Sequence, residues 1–193
     1  MKNFKLITFL FSLVFIVGCK DNKKTEEVIE DIEIEEVVEG TEKKMDMTIT
    51  LSPKSESTVK GTVTFSQADG KVSMVANMTG LTEGKHAIHI HQTADCSSAD
   101  GKSAGGHWNP TNEPHGKWGD ETGYHKGDIG NFDVAADGVG KVEFSTDEWC
   151  IGCGDKNKDI LGKAIIVHQG TDDFTSQPSG AAGARVSCAG IIE

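Results

Sequence analysis

From Met45 onward, apolar and polar residues alternate in short runs broken by turn residues, a period of two rather than 3.6. Met47–Leu51, Gly61–Phe65, Val72–Met78, Ala87–His91, Ile129–Val134, Val139–Phe144 and Ala164–His168 each read as a strand of a few residues. Ala68-Asp69-Gly70 and Ala136-Asp137-Gly138 supply hairpin turns, because glycine accepts the positive φ of a tight reversal. No stretch of this region sustains a helical period. The pattern predicts an all-β sandwich or barrel of roughly eight short strands in one domain of about 150 residues. The longest strand-poor stretch, Gln92–Gly127, far exceeds an ordinary connection, and such a loop in a compact domain usually carries function.

Residues 1–44 follow other rules. Lys2 and Lys5 precede an apolar run from Leu6 to Val17, too short for the roughly 20 residues that span a bilayer, so residues 1–18 read as an export signal. The run ends in Ile16-Val17-Gly18-Cys19, which resembles the lipobox of bacterial lipoproteins. That resemblance implies lipidation of Cys19 and a protein anchored to a bacterial membrane, facing the periplasm or the cell surface. The alternative is an ordinary secretion signal with a chance cysteine. Lys20–Lys44 is dominated by Glu and Asp and reads, with Cys19, as a solvated tether over 19–44. Its Val28, Ile29, Ile32, Ile34, Val37 and Val38 leave a partner-binding helix as the competing reading. The formal net charge of -11 argues against nucleic acid as a partner.

All seven histidines fall between His86 and His168: His86, His89, His91, His107, His115, His125 and His168, with Asp128 among them and Asp172 just beyond. Imidazole is the usual ligand of borderline transition metals, so this concentration points to a metal site. On a strand, side chains alternate faces, which puts His89 and His91 on one side and sends Ile88 and Ile90 into the core.

The blocks His89-Ile90-His91, Cys96, Gly105-Gly106-His107-Trp108-Asn109-Pro110, His115-Gly116, His125-Lys126-Gly127-Asp128-Ile129-Gly130-Asn131, Val167-His168 and Gly183-Ala184-Arg185-Val186-Ser187-Cys188 resemble, in content and order, the signature of copper-zinc superoxide dismutases. The resemblance covers essentially 45–193 and implies an eight-stranded antiparallel Greek-key β-barrel with long metal-binding and active-site loops. It implies copper on His89, His91, His107 and His168, and zinc on His107, His115, His125 and Asp128, one ion of each per subunit. The ligand count agrees: two four-coordinate metals need about eight positions, the residues supply one fewer, and one must serve twice. The resemblance makes His107 the shared residue, a bridging imidazolate and proton carrier. By the same resemblance, superoxide is the substrate, converted to dioxygen and hydrogen peroxide by alternating Cu(II) and Cu(I). Arg185 docks the anion. Asp172 orients His89 and His115 from behind, the alternative being an exposed loop carboxylate like Asp173. His86 is expected to bond backbone rather than metal.

Cysteine usage fits an oxidising compartment. The resemblance pairs Cys96 with Cys188. Three features depart from the better-known pattern. Cys150-Ile151-Gly152-Cys153 is an insertion, read as a local disulfide, with redox exchange or copper capture as the alternative. Thr171–Gly183 is short and has no lysine, leaving Lys102, Lys117 and Lys126 as candidates to steer an anion. Cys96 follows His91 closely, as in many bacterial members, so monomer and homodimer both stay open. Two functions are in view: a superoxide dismutase, serving antioxidant defence outside the cytoplasm, or a protein that holds or delivers copper and zinc without useful turnover.

Overall fold

A computed structural model describes residues 45–192; residues 1–44, where an export signal, a lipidated Cys19 and an acidic tether are expected, lie outside the described residues. Eight strands form the fold: β1 (Met45–Pro53), β2 (Lys60–Ala68), β3 (Lys71–Thr79), β4 (Gly84–His91), β5 (Gly130–Val134), β6 (Gly140–Thr146), β7 (Ala164–His168) and β8 (Arg185–Gly190). They hydrogen-bond in the order β5-β4-β7-β8-β1-β2-β3-β6, every pair antiparallel, and curl into a nearly closed Greek-key barrel. Among the described residues no helix is long and apolar enough to cross a membrane.

The barrel has two unlike halves. In β2 and β3 burial alternates residue by residue, so Val63, Phe65, Val72, Met74, Ala76 and Met78 enter the core while their neighbours meet solvent. In β4 and β7 nearly every residue is buried on both faces. Ile88, Ile90, Ile165 and Val167 fill the barrel, whereas Ala164 and Ile166 join Ala104 and Cys188 in a second apolar cluster against Cys96. The long loops cover this outer face.

Two expectations change. The turn at Ala136-Asp137-Gly138 exists, with Gly138 N–H donating to Ala135 O at 3.0 Å, but it is not a hairpin. Its flanking strands sit at opposite ends of the strand order, β5 pairing with β4 and β6 with β3, so the turn carries the chain across the barrel seam. A glycine turn specifies a reversal and not which ladder follows it. The eighth strand, β8, is not among the runs picked out by alternation, because Val186, Ser187, Cys188 and Ala189 are all buried and show none.

Disulfides join Cys96 to Cys188 and Cys150 to Cys153, with Cα–Cα distances of 5.8 and 6.0 Å. The first spans a sequence separation of 92 and ties the long loop to β8. Loop-closure entropy puts its stabilisation at roughly 4 to 5 kcal/mol.

Three backbone hydrogen bonds hold the loop on the barrel. Ile90 N–H donates to Gly127 O at 2.9 Å, Trp108 N–H to Ile90 O at 2.8 Å, and Gly127 N–H to Trp108 O at 3.0 Å, closing a ring between β4 and two loop segments. Gly127 is required by contact: a Cβ there would lie 2.2 Å from Ile90 O and 3.1 Å from Trp108 N. Gly127→Ala should therefore force the ring apart, lowering stability by about 2 to 3 kcal/mol in a thermal or denaturant melt. An unchanged melt would show that the loop does not depend on this approach.

Candidate metal centre

The backbone ring places the side chains. His89 and His91 flank Ile90, His107 precedes Trp108, and Asp128 follows Gly127, so three peptide groups in mutual contact bring four of the expected ligands together. His91 and His107 also meet in an isolated antiparallel bridge. β7 lies beside β4 and ends at His168, opposite Arg185, at an irregularity in the β7–β8 ladder. All of these histidines and both carboxylates are buried.

They fall into two groups, His89, His91, His107 and His168, and His107, His115, His125 and Asp128, in each of which the donor atoms lie within 4.8 Å of one another. His107 belongs to both. The rings of His89, His91, His107 and His115 are each held by one nitrogen and offer the other. His89 Nε2 bonds Asp172 Oδ2 at 2.8 Å, leaving Nδ1 free. His91 Nδ1 bonds Gly105 O at 3.0 Å, leaving Nε2 to face His168 Nε2 at 3.4 Å. His115 Nε2 bonds Asp172 Oδ1 at 2.9 Å, leaving Nδ1 free.

Buried nitrogens without a hydrogen-bond partner are costly, yet His89 Nδ1, His107 Nε2, His115 Nδ1, His125 Nδ1 and His168 Nδ1 all lack one. His115 Nδ1 and His125 Nδ1 lie 2.9 and 3.3 Å from the Asp128 carboxylate without making a hydrogen bond to it. Atoms that approach closely but do not aim at one another are arranged as ligands around a common point. The donor set of imidazoles and one carboxylate, with His89, His91 and His115 braced by hydrogen bonds on the far nitrogen, fits transition-metal ions of the copper and zinc class.

Electrostatics separate the two groups. Burial, reinforced by the neighbouring histidines, pushes His91 and His168 well below the usual imidazole range. Burial also brings His107 down to about 4, against the pull of Asp128. These rings are neutral and present lone pairs. His115 goes the other way: burial would lower it, but the Asp128 carboxylate beside Nδ1 and the hydrogen bond from Nε2 to Asp172 prevail and raise it to about 9. Burial opposes ionisation of Asp128 and Asp172 as well, yet bonds from the surrounding histidines hold both well below the ordinary carboxylate range. A cation bound here replaces the proton that His115 otherwise carries.

Arg185 borders the cavity, of about 500 Å³, into which His91, His107 and His168 open. Its Nη1 and Nη2 donate to Gly101 O and Gly105 O at 2.8 and 2.7 Å, so the guanidinium is fixed while its remaining donors stay available. Of the three candidate lysines only Lys102 lines this cavity, and its Nζ lies 3.1 Å from Asp100 Oδ2. Lys126 is paired with Glu148, and Lys117 borders a different pocket beside Trp118 and Phe174. His86 bonds the backbone at both ring nitrogens, to His168 O at 3.0 Å and Thr82 O at 2.9 Å.

Supporting residues escaped the sequence reading. Gln177 bonds both the N–H and the C=O of His115, at 2.9 Å each. Asn131 does the same for Asp172, at 2.8 Å each. Gly180 (φ 65) leaves room for the carboxylate, since a Cβ there would lie 1.7 Å from Asp172 Oδ1. The partners of Gln177 and Asn131 are distant in sequence, so local pattern gave no signal.

The family model of copper/zinc superoxide dismutase (SODC) matches residues 59–191. Among solved structures, a SOD-like protein from Bacillus subtilis is 30% identical with a TM-score of 0.67, covering 75% of this chain and 97% of that one. A double mutant of a SOD-like protein from the same organism is 31% identical, again with a TM-score of 0.67, over 76% and 97%. With the fold, the two ligand groups and the match in agreement, this chain belongs to the copper/zinc superoxide dismutase family.

Proposed function

We propose that this protein dismutes superoxide, with copper held by His89, His91, His107 and His168 and zinc by His107, His115, His125 and Asp128. The observation that carries the reading is the shared His107 beneath an open cavity bordered by Arg185. Bound copper supplies one-electron chemistry, while zinc, which has no redox states to offer, holds structure and charge.

The chain's own residues do the rest. Arg185 attracts and orients a small anion; the cavity is far larger than a diatomic species, so charge must select it. His107 lines the cavity, and its unpartnered Nε2 is the atom that can first take up a proton and then pass it to reduced dioxygen, while its Nδ1 stays against Asp128. Asp172 fixes the ring orientation of one ligand in each group, coupling them. A protein that only stored or delivered metal would need the ligands but not the anion site. We also propose that it acts outside the cytoplasm, lipidated at Cys19, a reading supported by the Lys2–Cys19 pattern and the paired cysteines.

Arg185→Ala should slow superoxide decay about tenfold or more with copper content unchanged, and Arg185→Lys should recover part of the loss by restoring charge without the fork. Loss of copper from Arg185→Ala would instead make its bonds to Gly101 and Gly105 the important ones. Asp172→Asn cannot accept from both rings, so chelator competition should show copper and zinc affinity reduced by about 10- to 100-fold. Unaltered affinity would remove Asp172 from the site.

A further inference from the structure

Cys150 and Cys153 stand apart from both histidine groups, and their surroundings are organised around a carboxylate. Cys150 and Asp159 meet in an isolated parallel bridge, flanked by Cys150 N–H to Lys158 O at 2.8 Å and Ile160 N–H to Cys150 O at 3.0 Å. Asp159 Oδ1 accepts from Gly152 and Leu161 N–H, both at 3.0 Å, and Oδ2 from Gly154 N–H at 2.8 Å. The carboxylate is thereby locked toward the sulfurs, and its Oδ2, with a single such bond, keeps a lone pair. One donor atom from each of the three residues lies within 4.8 Å of the others.

The turn also suits sulfur in its reduced form. Gly152 and Gly154, at φ 67 and 75, turn the backbone so that their own N–H groups meet Asp159, and Asp155 N–H donates to Cys153 Sγ at 3.4 Å. N–H donors aimed at a sulfur favour its anion, the form that binds metals. Cys150 is buried and Cys153 exposed, so a reductant reaches Cys153 first.

We propose that reduction of this disulfide opens a metal site in which Cys150 Sγ, Cys153 Sγ and Asp159 Oδ2 hold a thiophilic divalent ion of the zinc class, a fourth position remaining for water. A dithiol reductant attacks Cys153 Sγ and the S–S bond breaks, with Cys150 leaving as thiolate. The reductant's second thiol then displaces Cys153 and closes its own disulfide, delivering two electrons in all. Metal binding releases the thiol protons. Reoxidation removes both thiolates, so the site is open only under reducing conditions.

Cobalt(II) separates this site from the histidine groups, because only thiolate ligands give an intense near-ultraviolet charge-transfer band. The full chain, supplied with copper and zinc and reduced with a phosphine, should take up one further equivalent of cobalt with that band. The oxidised protein and Cys153→Ser should lack it, and Asp159→Asn should bind cobalt at least about tenfold more weakly. A reduced protein without the band, a band that survives Cys153→Ser, or an Asp159→Asn variant of unchanged affinity would each overturn the assignment. Because the histidine groups contain no sulfur, none of these outcomes depends on their function.

Discussion

The ring of backbone hydrogen bonds among Ile90, Trp108 and Gly127 decides where every other part of the centre can be. It brings a strand and two segments of one loop into contact at the peptide level, leaving the side chains on either side to converge. The contact tolerates no Cβ at Gly127. Rigid backbone thus does what flexible side chains could not: it sets the spacing between His89, His91, His107 and Asp128 before any ion arrives. The adjoining disulfide from Cys96 to Cys188 acts in the same direction by limiting how far the loop can leave β8.

Burying six imidazoles beside two carboxylates creates a conflict that the protein divides rather than removes. In the group around His91 and His168, burial wins and the rings are neutral. Around Asp128 and Asp172, hydrogen bonds win, so the carboxylates stay ionised and His115 gains a proton. The unpartnered nitrogens are the residue of that conflict. A bound cation resolves it, which makes the site's apparent defects the strongest physical argument for metal.

The architecture was readable wherever one face of a strand met solvent. Alternation marks β2 and β3 plainly, whereas β8 is covered on both sides and leaves no periodic trace. The gathering of His89, His91, His107 and His168 follows from strand alternation plus family resemblance, but the residues that brace them do not. Gln177 and His115 meet only because two loops cross the same half-barrel, and Asn131 and Asp172 only because the second of those loops passes β5. The apparent hairpin at Ala136-Asp137-Gly138 fails for a related reason, since turn chemistry is local and the choice of ladder partner is global. Likewise Asp159 has no sequence relation to Cys150-x-x-Cys153 until the chain folds back between them.

The central claim is turnover, and it is tested most directly by pulse radiolysis of superoxide with the protein loaded with copper and zinc, metal content being measured on the same sample. The account predicts decay near the diffusional regime, about 10⁸ to 10⁹ M⁻¹s⁻¹, falling as ionic strength rises because capture is steered by charge. Full occupancy of both sites with decay no faster than that of the metal-free protein would contradict it, and would make the molecule a holder of metal rather than a dismutase.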